Sequence, residues 1–331
     1  MGRLILTLLL SCVLLSGCSS LIRSEQQGTA TEYSQHCIPA AARKPHRFTG
    51  YMTGAAPVAP APHVLARFSP ESLRAADTIG VLPLLNGLTA LAASHPDNTL
   101  GILVHRQLLT DRTQLALLEI ASTTAELVCE RDRADQLADR IDEVDGARIK
   151  RLTIASIVLG GVAAIVTGGI GLAGGATTGA DASTVGGGVL SSWLGLSALF
   201  VESEVELHHD RNILRELWDN PADPEIFSPI VWRYLRRPAD STRDSPRIEI
   251  LNAWRQKGRL GQEGTADEEQ RRQLFFSAGG RYAAAELRAR ASMLETLEAA
   301  LSLMHEELEV LIREASDVTE PLLTPVMMGG R

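Results

Sequence analysis

An all-α protein, an elongated helical bundle or coiled coil carrying an apolar, glycine-rich helical hairpin, is the fold class that this sequence predicts. Three observations lead there. Aromatic residues make up only 4% of the chain while Ala, Leu, Gly and Glu are abundant, a usage that favours helices over sheets. Near the C-terminus, Leu294, Leu297, Leu301, Met304, Leu308, Leu311, Ala315 and Val318 advance by alternating steps of three and four, the seam of a coiled coil. In the middle of the chain, residues 152–201 carry a single charge, Asp181.

The first element is a secretory signal, residues 1–17. Arg3 supplies a positive start, and residues 4–15 are apolar apart from Thr7, Ser11 and Cys12. As a helix this run is roughly 18 Å long against a hydrocarbon core of about 30 Å, too short to span. Its exit, Leu15-Ser16-Gly17-Cys18, resembles the lipobox of bacterial lipoproteins: an aliphatic residue, two small residues that let a peptidase approach the backbone, and a cysteine. The resemblance implies cleavage before Cys18, transfer of diacylglycerol to its thiol, and three acyl chains on the new terminus. Several chains anchor stably where one does not. Ser19 stands where an aspartate would favour inner-membrane retention, so the resemblance implies the outer membrane. The covalent lipid on Cys18 is the only prosthetic group expected.

Charge and cysteines narrow the remainder. The net charge is −8, one unit more negative once Arg3 is removed, which argues against nucleic acid or an anionic lipid surface as main partner. Cys12 leaves with the signal and Cys18 is acylated. Cys37 and Cys129 remain, and in an oxidising compartment two such residues suggest one disulfide. The alternative is two unpaired thiols.

Residues 18–62 read as an extended tether, because Pro57, Pro60 and Pro62 punctuate an Ala/Gly-rich stretch that cannot hold a helix. Helices are expected from Ser69-Pro70-Glu71, a cap followed by proline at the first helical position, and over residues 82–93. His95-Pro96-Asp97-Asn98 is a turn that starts a long amphipathic helix over residues 99–151. Its apolar positions include Leu108, Leu115, Leu118, Ala125, Val128, Leu137, Ile141 and Val144, with charged residues on the other faces. These helices make up an N-terminal helical region, residues 63–151. Residues 202–218 suggest the returning helix, followed within a Pro/Arg-rich connector (202–262) by short helices at 226–236 and 247–257. Over residues 263–331, Thr265-Ala266-Asp267-Glu268 is a capping box. It opens a single helix running to Pro321, about 78 Å long.

The apolar hairpin, residues 152–201, has a first arm over 152–176 and a second over 184–201. Within the first arm Gly160, Ala164 and Gly168 recur every fourth residue, and Thr167, Gly171, Gly175 and Gly179 do so one step away. Small residues at this interval let two helices approach closely. Three arrangements suit such a segment: burial against this protein or another subunit, membrane insertion with other copies, or a glycine-rich loop.

No catalytic pattern survives inspection. Gly169-Ile170-Gly171-Leu172-Ala173-Gly174 matches a dinucleotide fingerprint but lacks the strand and the βαβ frame. His208-His209-Asp210 would place adjacent histidines on different faces of a helix, a solvated surface rather than a metal site, and His305-Glu306-Glu307 falls on the polar side of the heptads. The expected role is an envelope scaffold or assembly factor, not an enzyme. Its partners would be the membrane, through the lipid, and either a second copy or an envelope protein, with no small-molecule substrate. The rival is a pore- or channel-forming protein, since a helical stalk tipped by an apolar hairpin resembles the layout of α-helical pore-forming toxins.

Overall fold

The computed structural model describes Cys37 and residues 58–172, 202–209, 211–238 and 242–328. The chain is mostly helical, with one small two-stranded sheet. Cys18 and the rest of the signal and tether before residue 58, Cys37 excepted, lie outside the described residues. So do Gly175, Gly179 and the second arm of the hairpin.

Short helices open the body: α1 (Pro62–Leu65), α2 (Pro70–Thr78) and α3 (Leu82–Ser94). Asn98 then accepts the amide of Gly101 at 3.0 Å and starts α4 (Thr99–Leu172). At 74 residues this helix is roughly 110 Å long. It does not stop at Arg151 as the change in composition suggests, because nothing near residue 151 breaks the backbone. Gly160, Ala164, Gly168 and Gly171 therefore sit on helical backbone.

The chain returns beside Asp145, whose carboxylate accepts the Ser203 amide at 2.9 Å and the Ser203 hydroxyl. Here the expected returning helix is replaced by a strand, β1 (Glu204–His208). The sequence Glu-Val-Glu-Leu-His alternates polar and apolar residues, a period of two, and Leu207 is buried while Glu204 and Glu206 are not. Helix resumes only at α5 (Ile213–Asp219), capped by Asn212. Then follow α6 (Pro229–Arg236), α7 (Pro246–Gln256), α8 (Ala266–Phe276), β2 (Gly279–Ala283) and α9 (Ala284–Met328).

The single C-terminal helix is likewise two helices with a strand between them. Gly279, at φ +115°, stands where an added Cβ would lie 2.1 Å from Leu207 O. That approach lets β2 pair antiparallel with β1, from Glu204 opposite Ala283 to His208 opposite Gly279. Nor does Pro321 end α9, which continues through it and Pro325 to Met328, each proline removing one backbone donor from the last turns.

Local chemistry starts the helices as the sequence requires. Ser69, Ser228 and Ser245 each precede a proline and accept the amide three residues on, while Thr265 accepts that of Glu268. Helices α4 and α9 pack antiparallel, since Arg131 pairs with Glu298 while Arg288 pairs with Asp139 and Asp142. Helix α2 lies along α9, where Arg74 donates to Glu307 and the Ser69 amide to Glu314. Helix α3 closes on α4 at Gly87, where a Cβ would meet His105 Nε2 at 2.8 Å.

The α9 heptad residues from Leu294 to Ala315 are all buried, with Val318 partly so. The face that α4 turns inward is not the one its leucines suggest. Ile102, Leu109, Ala116, Ile120, Leu127, Ala134, Ala138 and Ile141 are buried, whereas Leu108, Leu115, Leu118 and Val144 are exposed. The inner face mixes large residues with the small Ala116, Ala134 and Ala138, which leave room for side chains of a packed helix to seat between the ridges.

Candidate functional site

Three features of the body are unusual enough to carry function. The first is an outward stripe on α4. Leu100, Val104, Leu108, Leu115 and Leu118 are exposed, Leu100 by 74% and Leu118 by 67%. At 100° per residue they fall within about 80° of one another, on the side away from Ile102, Leu109 and Ala116. Surface leucines scattered singly need no explanation, but a continuous row does.

The second is a groove of about 1200 Å³ between α4 and α9. Its floor includes Ile120, Ala125, Val128, Leu137 and Leu301, and its rim Arg133, Gln136, Arg140 and His305. Cys37 lies in its wall, disulfide-bonded to Cys129 with a Cα–Cα separation of 5.4 Å. Closing a loop of 92 residues restricts the unfolded chain by about 4 kcal/mol. Cys129→Ser is therefore expected to lower unfolding free energy by up to about that amount. Thiol labelling of the native protein should find neither cysteine reactive without reductant; labelling of both would show that the bond does not form.

The third is a buried polar centre where β1, β2, α4 and α9 meet. His209, read from sequence as solvated, is only 7% exposed, because the strand turns it inward onto Tyr282. Tyr282 Oη donates to Leu274 O at 2.7 Å and accepts from His209 Nε2 at 2.8 Å. The ring thus presents Nδ1 without a partner. Burial, followed by the positive charges of Arg290 and Arg133, holds the imidazole pKa down at about 2. Burial also pushes the Tyr282 phenol up to about 12.

Arg290 is 1% exposed, and its Nε and Nη1 make no hydrogen bond. Arg133, also buried, has Glu130 at 3.7 Å. Glu126, paired with Arg211 at 3.0 Å, is nonetheless raised by its burial.

The histidine has a consequence in pH. Its folded pKa lies below its unfolded value near 6.5, so the unfolded chain binds the extra proton. Stability is complete above pH 6.5 and falls by about 1.4 kcal/mol per pH unit as pH drops toward 2. Glu126 and Glu119, both raised by burial, act in the opposite sense just above pH 4.5. His209→Gln is expected to flatten the dependence of the denaturation midpoint between pH 6.5 and 4.5. An unchanged slope would assign the loss to other groups.

The other residues considered from sequence are dispersed. His208 is exposed while His209 is buried, and Asp210 lies outside the described residues. His305 and Glu306 line the groove, while Glu307 is spent on Arg74. Among the described residues no group of His, Cys, Asp and Glu could hold a metal ion, and no helix is long and apolar enough to cross a membrane.

Arg290 had a legible signal: Leu287, Arg290, Leu294 and Leu297 continue the three–four rhythm backward, with arginine at a seam position. No protein-family model matches the chain, and neither a curated protein nor a solved structure matches it.

Proposed function

We propose that this chain is an outer-membrane-anchored helical lipoprotein that serves as an envelope scaffold or assembly factor, docking a protein partner or a second copy of itself. In this reading the body is an elongated coiled coil, α4 against α9, held to the bilayer by the lipid on Cys18. The observation that carries it is the apolar stripe from Leu100 to Leu118, opposite the core face of α4. A helix with two apolar faces and one covered face is built to pack twice.

The test separates anchoring from docking. Cys18→Ala should move the protein from the membrane fraction to the soluble one. Leu115→Glu with Leu118→Glu should abolish crosslinking to partner or copy in the envelope. It should shift unfolding free energy by less than about 0.5 kcal/mol, as expected for exposed sites. Crosslinks that survive this double substitution would sink the docking surface.

A second reading, pore formation through residues 152–201, draws support from the uninterrupted run of α4 into the apolar arm, where Ile154, Ile157 and Val158 are exposed. It requires dye release from liposomes by the purified chain, abolished by Gly171→Leu with Gly175→Leu. No leakage at any concentration leaves the scaffold.

A further inference from the structure

We infer that the buried centre behind the β1–β2 pair holds one small monovalent anion, of the size of chloride, against the guanidinium of Arg290. The site shares no residue with the apolar stripe on α4, so it and the docking role can fail separately.

Arg290 demands a counter-charge. It occupies a seam position of α9, in the series Leu287, Arg290, Leu294 and Leu297, and is 1% exposed. A guanidinium keeps its proton in any protein environment, so this charge is not shed on burial. Buried charges are paired, and an unpaired one is strongly destabilising. Yet neither Nε nor Nη1 of Arg290 has a hydrogen-bond acceptor among the described residues.

The acids round about are committed elsewhere. Glu286, one turn back on α9, accepts the Ala283 amide at 2.8 Å. On α4, Glu126 binds Arg211 at 3.0 Å, Glu130 faces Arg133 at 3.7 Å and Asp139 holds Arg288 at 3.2 Å.

Neutral neighbours do not replace them. Tyr282 Oη, which Arg290 approaches, gives its proton to Leu274 O and takes one from His209 Nε2. Burial, and then the charges of Arg290 and Arg133, keep His209 neutral. The one cation here that can discharge itself has done so, and Arg290 still lacks its anion.

Enclosure decides the class of ligand. The pairings of Arg131 with Glu298 and of Arg288 with Asp139 set Arg290 level with Ala138, a buried α4 residue whose side chain is a single methyl. A ligand shut in beside it loses its water. The cost of that loss grows steeply with charge, which selects a monovalent, weakly hydrated ion over sulfate or phosphate.

The experiment uses the full mature chain with Cys18→Ser and reads the midpoint of urea denaturation as gluconate is exchanged for chloride at constant ionic strength. Once the site fills, the folded-to-unfolded ratio should rise about tenfold for each tenfold rise in free chloride, the slope of a single site. Bromide should act as chloride does, and sulfate no more than gluconate. Arg290→Met should remove the slope, with a thermal melt showing that the chain folds. Crystals grown in bromide should show an anomalous peak within hydrogen-bond reach of Arg290, a readout that stands even where Arg290→Met fails to fold.

A flat chloride series, or crystals without the bromide peak, would overturn the proposal. So would sulfate that matches chloride, or a slope that persists in folded Arg290→Met. Chloride dependence that emerges only in Asp210→Asn would make an internal carboxylate the counter-charge, and that too would overturn it.

Discussion

Glu216→Ala is expected to lower unfolding free energy by about 3–5 kcal/mol. The carboxylate is buried, and its oxygens accept the amides of Glu225, Ile226 and Phe227, the last two at 3.0 and 2.9 Å. Those amides belong to the turn between α5 and α6, where no backbone carbonyl is aimed at them. Alanine would leave three donors without acceptors, each costing about 1–3 kcal/mol if it stays dry. Glutamine should recover only part, since its amide nitrogen cannot accept. The midpoint of chemical denaturation reads the loss, and hydrogen exchange at residues 225–227 localises it. A decrease below about 1 kcal/mol would mean that water reaches the turn, and the carboxylate's role would shrink to that of a surface contact.

Trp254→Ala should cost about 3–5 kcal/mol by a different route. Trp254 is fully buried and joins α7 to α9 through its indole N–H, which donates to Met293 O at 3.2 Å. Its ring faces Phe276 at 6.2 Å, and Phe276 in turn stacks on Trp218 at 4.5 Å. Removing the indole opens a cavity at the point where α5, α7, α8 and α9 converge, and the helical backbone cannot collapse into it. Trp254→Phe keeps most of the packing and leaves Met293 O its ordinary helical partner, so its cost should be under half as large. Equal losses for the two substitutions would show that the hydrogen bond, not the volume, holds the junction.

Parts of this architecture follow from local chemistry and were therefore legible in the sequence. Ser-Pro steps at residues 69, 228 and 245 start helices because the serine oxygen and the proline ring act within one turn. The heptads from Leu294 to Ala315 lie inward because α9 has only one apolar face. The stripe on α4 is the instructive failure. Leu108, Leu115 and Leu118 are exposed, whereas the face with Leu109, Ala116, Ile120, Leu127, Ala134 and Ala138 is buried. Pattern alone ranks faces by hydrophobicity, whereas packing ranks them by how closely two backbones can approach.

The sheet was hidden for a related reason. Glu204 to His208 and Gly279 to Ala283 are each too short and too polar to declare themselves, and each becomes a strand only when the other is beside it. His209 follows the strand inward, which turns a residue that reads as solvated into a buried neutral imidazole. The same pairing interrupts what composition presents as one long C-terminal helix.

By itself, then, the sequence determined the helical class, the caps and the inner face of α9, all matters settled within a few residues of each position. Only the tertiary structure decided which face of α4 is covered, where the two strands meet, and how Arg290, His209 and Tyr282 come together. Those outcomes depend on free-energy differences between competing contacts made by residues far apart in the chain, and a one-dimensional pattern does not rank them.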